Sequence, residues 1–196
     1  GQLVSGSQNQ HDNQTIEKYC YDDYETNCDS YGGLYQWDEM MSYELSDNQN
    51  PGLTRGICPA GWHLPTKSEW DELTEFLGGE SVAGGKLKET GTEHWWNPNE
   101  GATNESGFKA LPGGNRSEIG SFHVLGDVGL FWSSTEQATN SGWYVILDHL
   151  YSRISPTAFL KIQGLSVRCL VDLDRFKYLT ISDMNFKPVS DLVFYG

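Results

Sequence analysis

The sequence predicts an α+β fold in which two helices pack with a small antiparallel sheet, with a long irregular loop region between them. Three observations predict it. Seven Trp, ten Tyr and eight Phe accompany 22 Gly in a chain of 196 residues, a balance that suits short strands and tight turns better than a helical bundle. One stretch, GICPAGWHLPTKSEWDELTEFLGG, carries both a helix start and a helix stop. From Ser121 onward, apolar runs are separated by glycine-containing or polar turns, the pattern of an antiparallel meander. The length suits one domain with decorations, since a single core of this size can bury most of its apolar surface.

Residues 1–15, GQLVSGSQNQHDNQT, are polar and poor in apolar side chains, so they are expected as an arm that does not pack on its own. The domain is expected to run from residue 16 to 172. Its first part places Asp22, Asp23, Glu25 and Asp29 around Cys20 and Cys28. A calcium loop is conceivable there, but the spacing is not that of an EF-hand, and a solvated acidic loop held by a disulfide is the preferred reading. Tyr31–Tyr43 then reads as the first helix, with Leu34, Trp37, Met40 and Met41 on a core-facing stripe. A polar connection with an Asn-Pro-Gly turn follows, over Ser46–Arg55.

The second helix is the best signalled. Thr66 is a good N-cap, and Glu69 three residues on completes a capping box, so the helix starts at Lys67. Trp70, Leu73, Phe76 and Leu77 fall on one side, Asp71, Glu72 and Glu75 on the other, and Gly78 ends it. Ahead of it, Cys58, Trp62, His63 and Leu64 make a stiff lead-in, too apolar for a free surface loop, that Cys58 is expected to pin. Gly84–Arg116 is long, rich in Gly and Asn, and carries Trp95 and Trp96; such a region in a compact domain tends to be functional. Gly107–Leu111 is its one expected strand. The β runs then follow as SFHVL, LFWSST, WYVILDHL, YSRIS and GLSVRCL. Residues 173–196 form a C-terminal extension in which Tyr178–Ile181 and Leu192–Tyr195 suit further strands, docked over a sheet edge or paired with another molecule.

Charge and cysteine usage bound the function. Thirteen basic and 27 acidic residues give a net charge of -14, which argues against nucleic acid and against an anionic membrane surface as partners. No apolar run approaches the length of a membrane span, and no charged-then-apolar leader opens the chain, so Gly1 fits a mature or truncated N-terminus and no direct membrane insertion is expected. The four Cys lack the C-x-x-C spacing of zinc or redox sites, so two disulfides in an exported protein are the better reading. Three connectivities are possible. Cys20 and Cys28 close a short loop, which leaves Cys58 for Cys169; a bridge over that longer loop contributes about 4–5 kcal/mol on the chain-entropy account.

None of His11, His63, His94, His123 and His149 sits in a nucleophile motif, and neither H-E-x-x-H nor a phosphate-cradling glycine loop occurs. His63 could act as a base, although a histidine bonded to backbone inside a rigid turn is the commoner case. Glu136, at a strand end beside aromatics, could bind sugar hydroxyls or a cation; an exposed edge carboxylate is the commoner case. The collective signal is stronger. Trp95, Trp96, Asn97, Asn99, Asn104, Asn115, Arg116, Trp132, Glu136 and Trp143 suit an aromatic-polar surface on which rings stack and amides orient a glycan or peptide. Three of those Trp equally suit a core. Asn13, Asn104 and Asn115 lie in glycosylation sequons, which matter only in a host that modifies them.

Taken in order, YGGLYQWDEMM, the GICPAGWHLP helix stretch, AGGKLKETGT, NPNEGATNESGFKALPGGNR, LFWSSTE and GLSVRCL resemble the Fibrobacter succinogenes major paralogous domain, found in exported proteins of Fibrobacter and Bacteroides-type bacteria. More distantly, LPTKSEW with its helix, the tryptophan-rich strand and GLSVRCL resemble the formylglycine-generating enzyme group, which has a C-type lectin-like fold. That resemblance implies two helices, a small twisted antiparallel sheet and a long loop region bearing the ligand site. It also implies that Cys58 and Cys169 tie the lead-in of the second half to the last strand. The enzymatic relatives use a pair of cysteines in the C-terminal part, where Cys169 stands alone here, so no catalytic residue is carried over. Asn97-Pro98-Asn99 is a loose echo of the calcium and sugar motifs of lectin relatives; no metal or cofactor is expected, and structural calcium has no motif behind it.

The expected function is therefore an exported recognition module, at the cell surface, in the periplasm or secreted, that binds glycan or protein through Gly84–Arg116. The alternatives are an enzyme derived from the formylglycine-generating type and a structural subunit of a surface appendage. The oligomeric state is left open.

Overall fold

The computed structural model describes residues 1–172 and the strand Phe194–Tyr195. Over the described residues the architecture is α+β, with four α-helices and several small sheets. The first half carries β1 (Gln2–Leu3), β2 (Glu17–Lys18), α1 (Glu25–Tyr31), β3 (Leu34–Tyr35), α2 (Trp37–Met40), β4 (Trp62–His63), α3 (Lys67–Phe76) and α4 (Glu80–Leu87). The second half carries β5 (Asn115–Arg116), β6 (Phe122–His123), β7 (Val128–Ala138), β8 (Ser141–Asp148), β9 (Ile154–Leu160), β10 (Leu165–Ser166), β11 (Cys169–Val171) and β12 (Phe194–Tyr195).

The central sheet has the order β3-β10-β7-β8-β9. All its pairings are antiparallel except β10 with β7. Both faces are buried, and side chains alternate between them as a strand requires. Leu130 and Trp132 of β7 and Tyr144 of β8 join Trp37, Met40, Met41, Leu64 and the Cys58–Cys169 bridge on one face. Phe131, Val145 and Leu147 point the other way, onto Trp70, Leu73 and Leu77 of α3, Ala83 and Leu87 of α4, and Trp95. This is why LFWSST and WYVILDHL read as continuous apolar runs rather than as alternation.

Helix α3 begins where the capping box places it. The Glu69 amide donates to Thr66 Oγ1 at 3.3 Å, and the Thr66 amide donates to Glu69 Oε2 at 2.9 Å. Trp70, Leu73 and Leu77 are buried as expected, whereas Phe76, assigned to the same face, is 53% exposed. The first helix needs correction: apart from Tyr31, which ends α1, Tyr31–Tyr43 contains only the four helical residues of α2. Its first half is drawn into the sheet, where Leu34 pairs with Ser166 and Tyr35 with Leu165, and Ser42 and Tyr43 leave helical space with positive φ. Tertiary pairing overrides the helical stripe, although Trp37, Met40 and Met41 still face inward.

Two helices were not anticipated. Helix α1 starts inside the first disulfide loop, carries Cys28 and runs on to Tyr31, with no apolar periodicity to reveal it. Helix α4 contains Gly84 and Gly85, which weaken a helix, but both are required by close packing. A Cβ on Gly84 would come 2.2 Å from the Arg153 carbonyl oxygen, and one on Gly85 would come 2.3 Å from that of Gly101. In place of a strand at Gly107–Leu111 there is a single bridge between Lys88 and Ala110. The YSRIS strand is displaced to Ile154–Leu160, and Pro156 is tolerated there because β9 is an edge strand.

The disulfides are Cys20–Cys28 and Cys58–Cys169, with Cα separations of 5.0 and 5.9 Å. Residues 1–15 run along the domain: β1 pairs with β2, and Gln10 and Gln36 exchange backbone-to-side-chain hydrogen bonds at 2.9 and 2.7 Å. At the other end β12 adds to β11, with Cys169 opposite Tyr195 and Leu170 opposite Phe194. The strand expected at Tyr178–Ile181 lies outside the described residues. No helix among those described is long and apolar enough to cross a membrane.

Candidate functional site

The long loop that follows α4 is organised by a lysine. Lys88 is fully buried, and its Nζ donates to the carbonyls of Glu100, Asp148 and Tyr151 at 2.9, 2.8 and 3.0 Å. Burial pushes its pKa down to about 8, with Asp148 and Glu100 opposing that shift. Three carbonyl acceptors match the three N–H bonds of an ammonium group, so the tie is made by the charged form. The Trp95 ring lies against the same Nζ, 5.3 Å from centroid to nitrogen, and Trp95 Nε1 donates to the Ala110 carbonyl at 2.9 Å. Asn99 closes the turn by donating to the carbonyls of Glu89 and Gly91 at 2.8 and 2.6 Å.

With Trp95 and Asn99 turned inward, Trp96 is turned outward and is 57% exposed. Its backbone is fixed, since its amide donates to the Gly126 carbonyl at 2.8 Å. Its ring meets His149 edge-on at 5.9 Å. Gly126 makes room for it: a Cβ there would stand 2.4 Å from the indole nitrogen. His149 is itself held, with Nδ1 at 2.7 Å from Asp127 Oδ1 and 3.6 Å from Asp148 Oδ1. The result is a large flat side chain presented to solvent on a support of buried bonds.

Asp127, Asp148 and His149 each offer one atom to a metal, all within 4.8 Å of one another. One nitrogen and two carboxylate oxygens suit a transition-metal dication better than calcium. In the arrangement here, however, Nδ1 is engaged with Asp127, and Asp148 Oδ1 accepts from the Leu150 amide at 2.7 Å. The three groups act as the prop under Trp96.

The other residues proposed for the ligand surface are dispersed. Trp95 and Trp132 are in the two cores, and Trp132 Nε1 donates to the Tyr35 carbonyl at 2.8 Å. Asn115 is buried against Gln163. Arg116, 1% exposed, stacks on Tyr19 and donates to the carbonyls of Gly6, Gln8 and Ile162, so it holds the N-terminal segment to the domain. Buried in this way, these groups are structural and not contact points on a surface. Asn104 Oδ1 caps the Lys109 amide at 2.7 Å, while Asn97 is exposed beside Trp96.

Glu136 and Trp143 are elsewhere. Val128 pairs with Asp148 at the end of the β7–β8 hairpin near Trp96, and Glu136 pairs with Gly142 at the opposite end, eight residues along β7. At about 3.3 Å per residue that places them roughly 25 Å away. There Glu136 is ion-paired with Lys161, and Lys67 lies 5.2 Å over the half-buried Trp143 ring. Lys88, Gly126 and His149 were missed because a lysine bonded to three backbone carbonyls and a glycine under an indole have no one-dimensional signature.

The match to known proteins is at the level of the family. No curated protein and no solved structure matches the chain. The family model of the Fibrobacter succinogenes major domain matches residues 2–170, which takes in α1 through β10 and the whole of the Trp96 loop. The chain belongs to the Fibrobacter succinogenes major domain family.

Proposed function

We propose that this chain is an exported, non-enzymatic recognition module on a C-type lectin-like scaffold, and that it binds glycan or protein through the loop region Gly84–Arg116. The observation that carries the reading is Trp96, a 57% exposed indole on a loop whose neighbouring side chains are spent on internal bonds. A preorganised ring loses little entropy when it stacks on a sugar face or packs on an apolar side chain, so such a group is a typical binding element. Asn97, exposed beside it, supplies an amide for orientation.

Two disulfides fit an oxidising compartment and so support export. They also favour binding over the thiol chemistry of the formylglycine-generating enzymes, because all four cysteines are bridged. The test is a broad glycan and peptide array probed with the full chain and with Trp96→Ala. Loss of the wild-type hits in the variant is the expected result. Identical array profiles would overturn the loop site, and two titratable thiols in the folded protein would revive the enzyme.

A further inference from the structure

A second cation bears on what the loop binds. Arg168 lies between β10 and β11, and its guanidinium carbon sits 5.5 Å from the Phe108 ring centroid and 5.4 Å from that of Phe131. Its one hydrogen bond among the described residues is to the carbonyl of its neighbour Val167, at 3.5 Å, and no carboxylate lies within ion-pair distance there. Burial lowers its pKa to about 10, so it is charged at neutral pH. The side chain is half-buried with its charge held against these two rings, and its remaining N–H donors have no acceptor among the described residues, so they are available to a ligand.

Arg168 lines a pocket of about 330 Å³ together with Asp29, Ser30, Tyr31, Phe108 and Lys109. Phe108 and Lys109 belong to the long loop. Tyr31 touches His94, two residues before Trp96, with ring centroids 5.4 Å apart. The pocket is thus lined in part by the same loop that presents Trp96.

We infer that this pocket receives the carboxylate of an acidic sugar residue of the uronic or sialic type, held by the fork of Arg168. The inference rests on the reading of the loop as a glycan-binding surface. A planar guanidinium matches a carboxylate in bidentate geometry. The volume is at the low end for ligand pockets, as a single sugar ring requires. Tyr31 offers a ring for stacking, and Ser30 and Asp29 offer hydrogen-bond partners for hydroxyls. A net charge of -14 repels densely charged polymers, which selects an isolated carboxylate over a sulfated chain.

The test uses oligosaccharides ending in glucuronic or sialic acid, each paired with its carboxyl-reduced counterpart, against the full chain. Wild-type protein is expected to bind the acids at least about tenfold more tightly than the reduced forms. Arg168→Gln is expected to lose that preference, and Arg168→Lys to keep only part of it. Because the comparison of acid with reduced sugar needs no variant, a misfolded Arg168→Gln would not spare the inference. Equal binding of the two forms would overturn it, and Trp96-dependent binding of neutral glycans alone would overturn it while leaving the loop site standing. Binding of acidic peptides but no glycan would overturn the sugar class, and no binding to anything would overturn both readings.

Discussion

His63 makes two ion-pair contacts, with Nδ1 at 2.8 Å from Asp172 Oδ1 and Nε2 at 3.0 Å from Glu69 Oε1. Burial opposes its charge, but the hydrogen bonds and fields of the two carboxylates outweigh it and hold its pKa above the ordinary 6.5. For Glu69 burial acts upward, and His63 with the amides of Thr66 and Gly52 acts downward more strongly, leaving the pKa below 4.5. A raised histidine stabilises fully below about pH 6.5 and loses its contribution as pH rises through the folded value. A lowered carboxylate stabilises above about pH 4.5 and loses its contribution as pH falls. The network therefore contributes most between about 4.5 and 6.5. Thermal unfolding across pH should show the largest gap between wild type and His63→Ala in that window, about 3 kcal/mol, since one partner of a buried pair is removed. A gap that is constant with pH would contradict the assignment. The sequence favours a His63 bonded to backbone inside a rigid turn; instead it lies in β4 and its ring is bonded to two carboxylates. Its partner Asp172, 109 residues away, is a product of the fold and could not be read locally.

At the scale of elements, legibility follows how local the determinants are. Helix α3 was readable to within a residue because the capping box, apolar face and terminal glycine all lie within it. Strands β7 and β8 were readable because burial on both faces leaves an unbroken apolar run. Helix α4 was not, because its glycines answer to neighbours in other segments. Gly84→Ala tests this: intrinsic propensity favours alanine by about 1 kcal/mol, whereas the collision with the Arg153 carbonyl should cost more. Chemical denaturation should show net destabilisation of about 1–3 kcal/mol. A more stable variant would mean that α4 packs less closely on the 151–154 segment than described.

For the molecule as a whole, the Cys58–Cys169 bridge spans 111 residues and sits in the core on one side of the sheet. It joins the lead-in of α3 to β11, the strand that also receives β12. Replacing both cysteines by Ala should lower the unfolding free energy by about 4–5 kcal/mol, measured in urea. A loss below about 1 kcal/mol would show that the unfolded chain gains little from release of the loop. The α+β class, both bridges and the family were legible in the sequence. The site was legible only as a region. Consecutive residues of one tryptophan-rich loop divide between core and solvent, Trp95 inward and Trp96 outward, and contacts remote in sequence, with Lys88, Ala110 and Gly126, distinguish the two rings.

Trp96 is proposed as the exposed ring of a prebuilt binding surface. The most direct measurement is calorimetric titration of the strongest array ligand into wild type and Trp96→Ala, with thermal unfolding recorded on both. An affinity at least about tenfold weaker in the variant, equivalent to about 1.4 kcal/mol, with little change in Tm is predicted. Equal affinity at equal stability would contradict it.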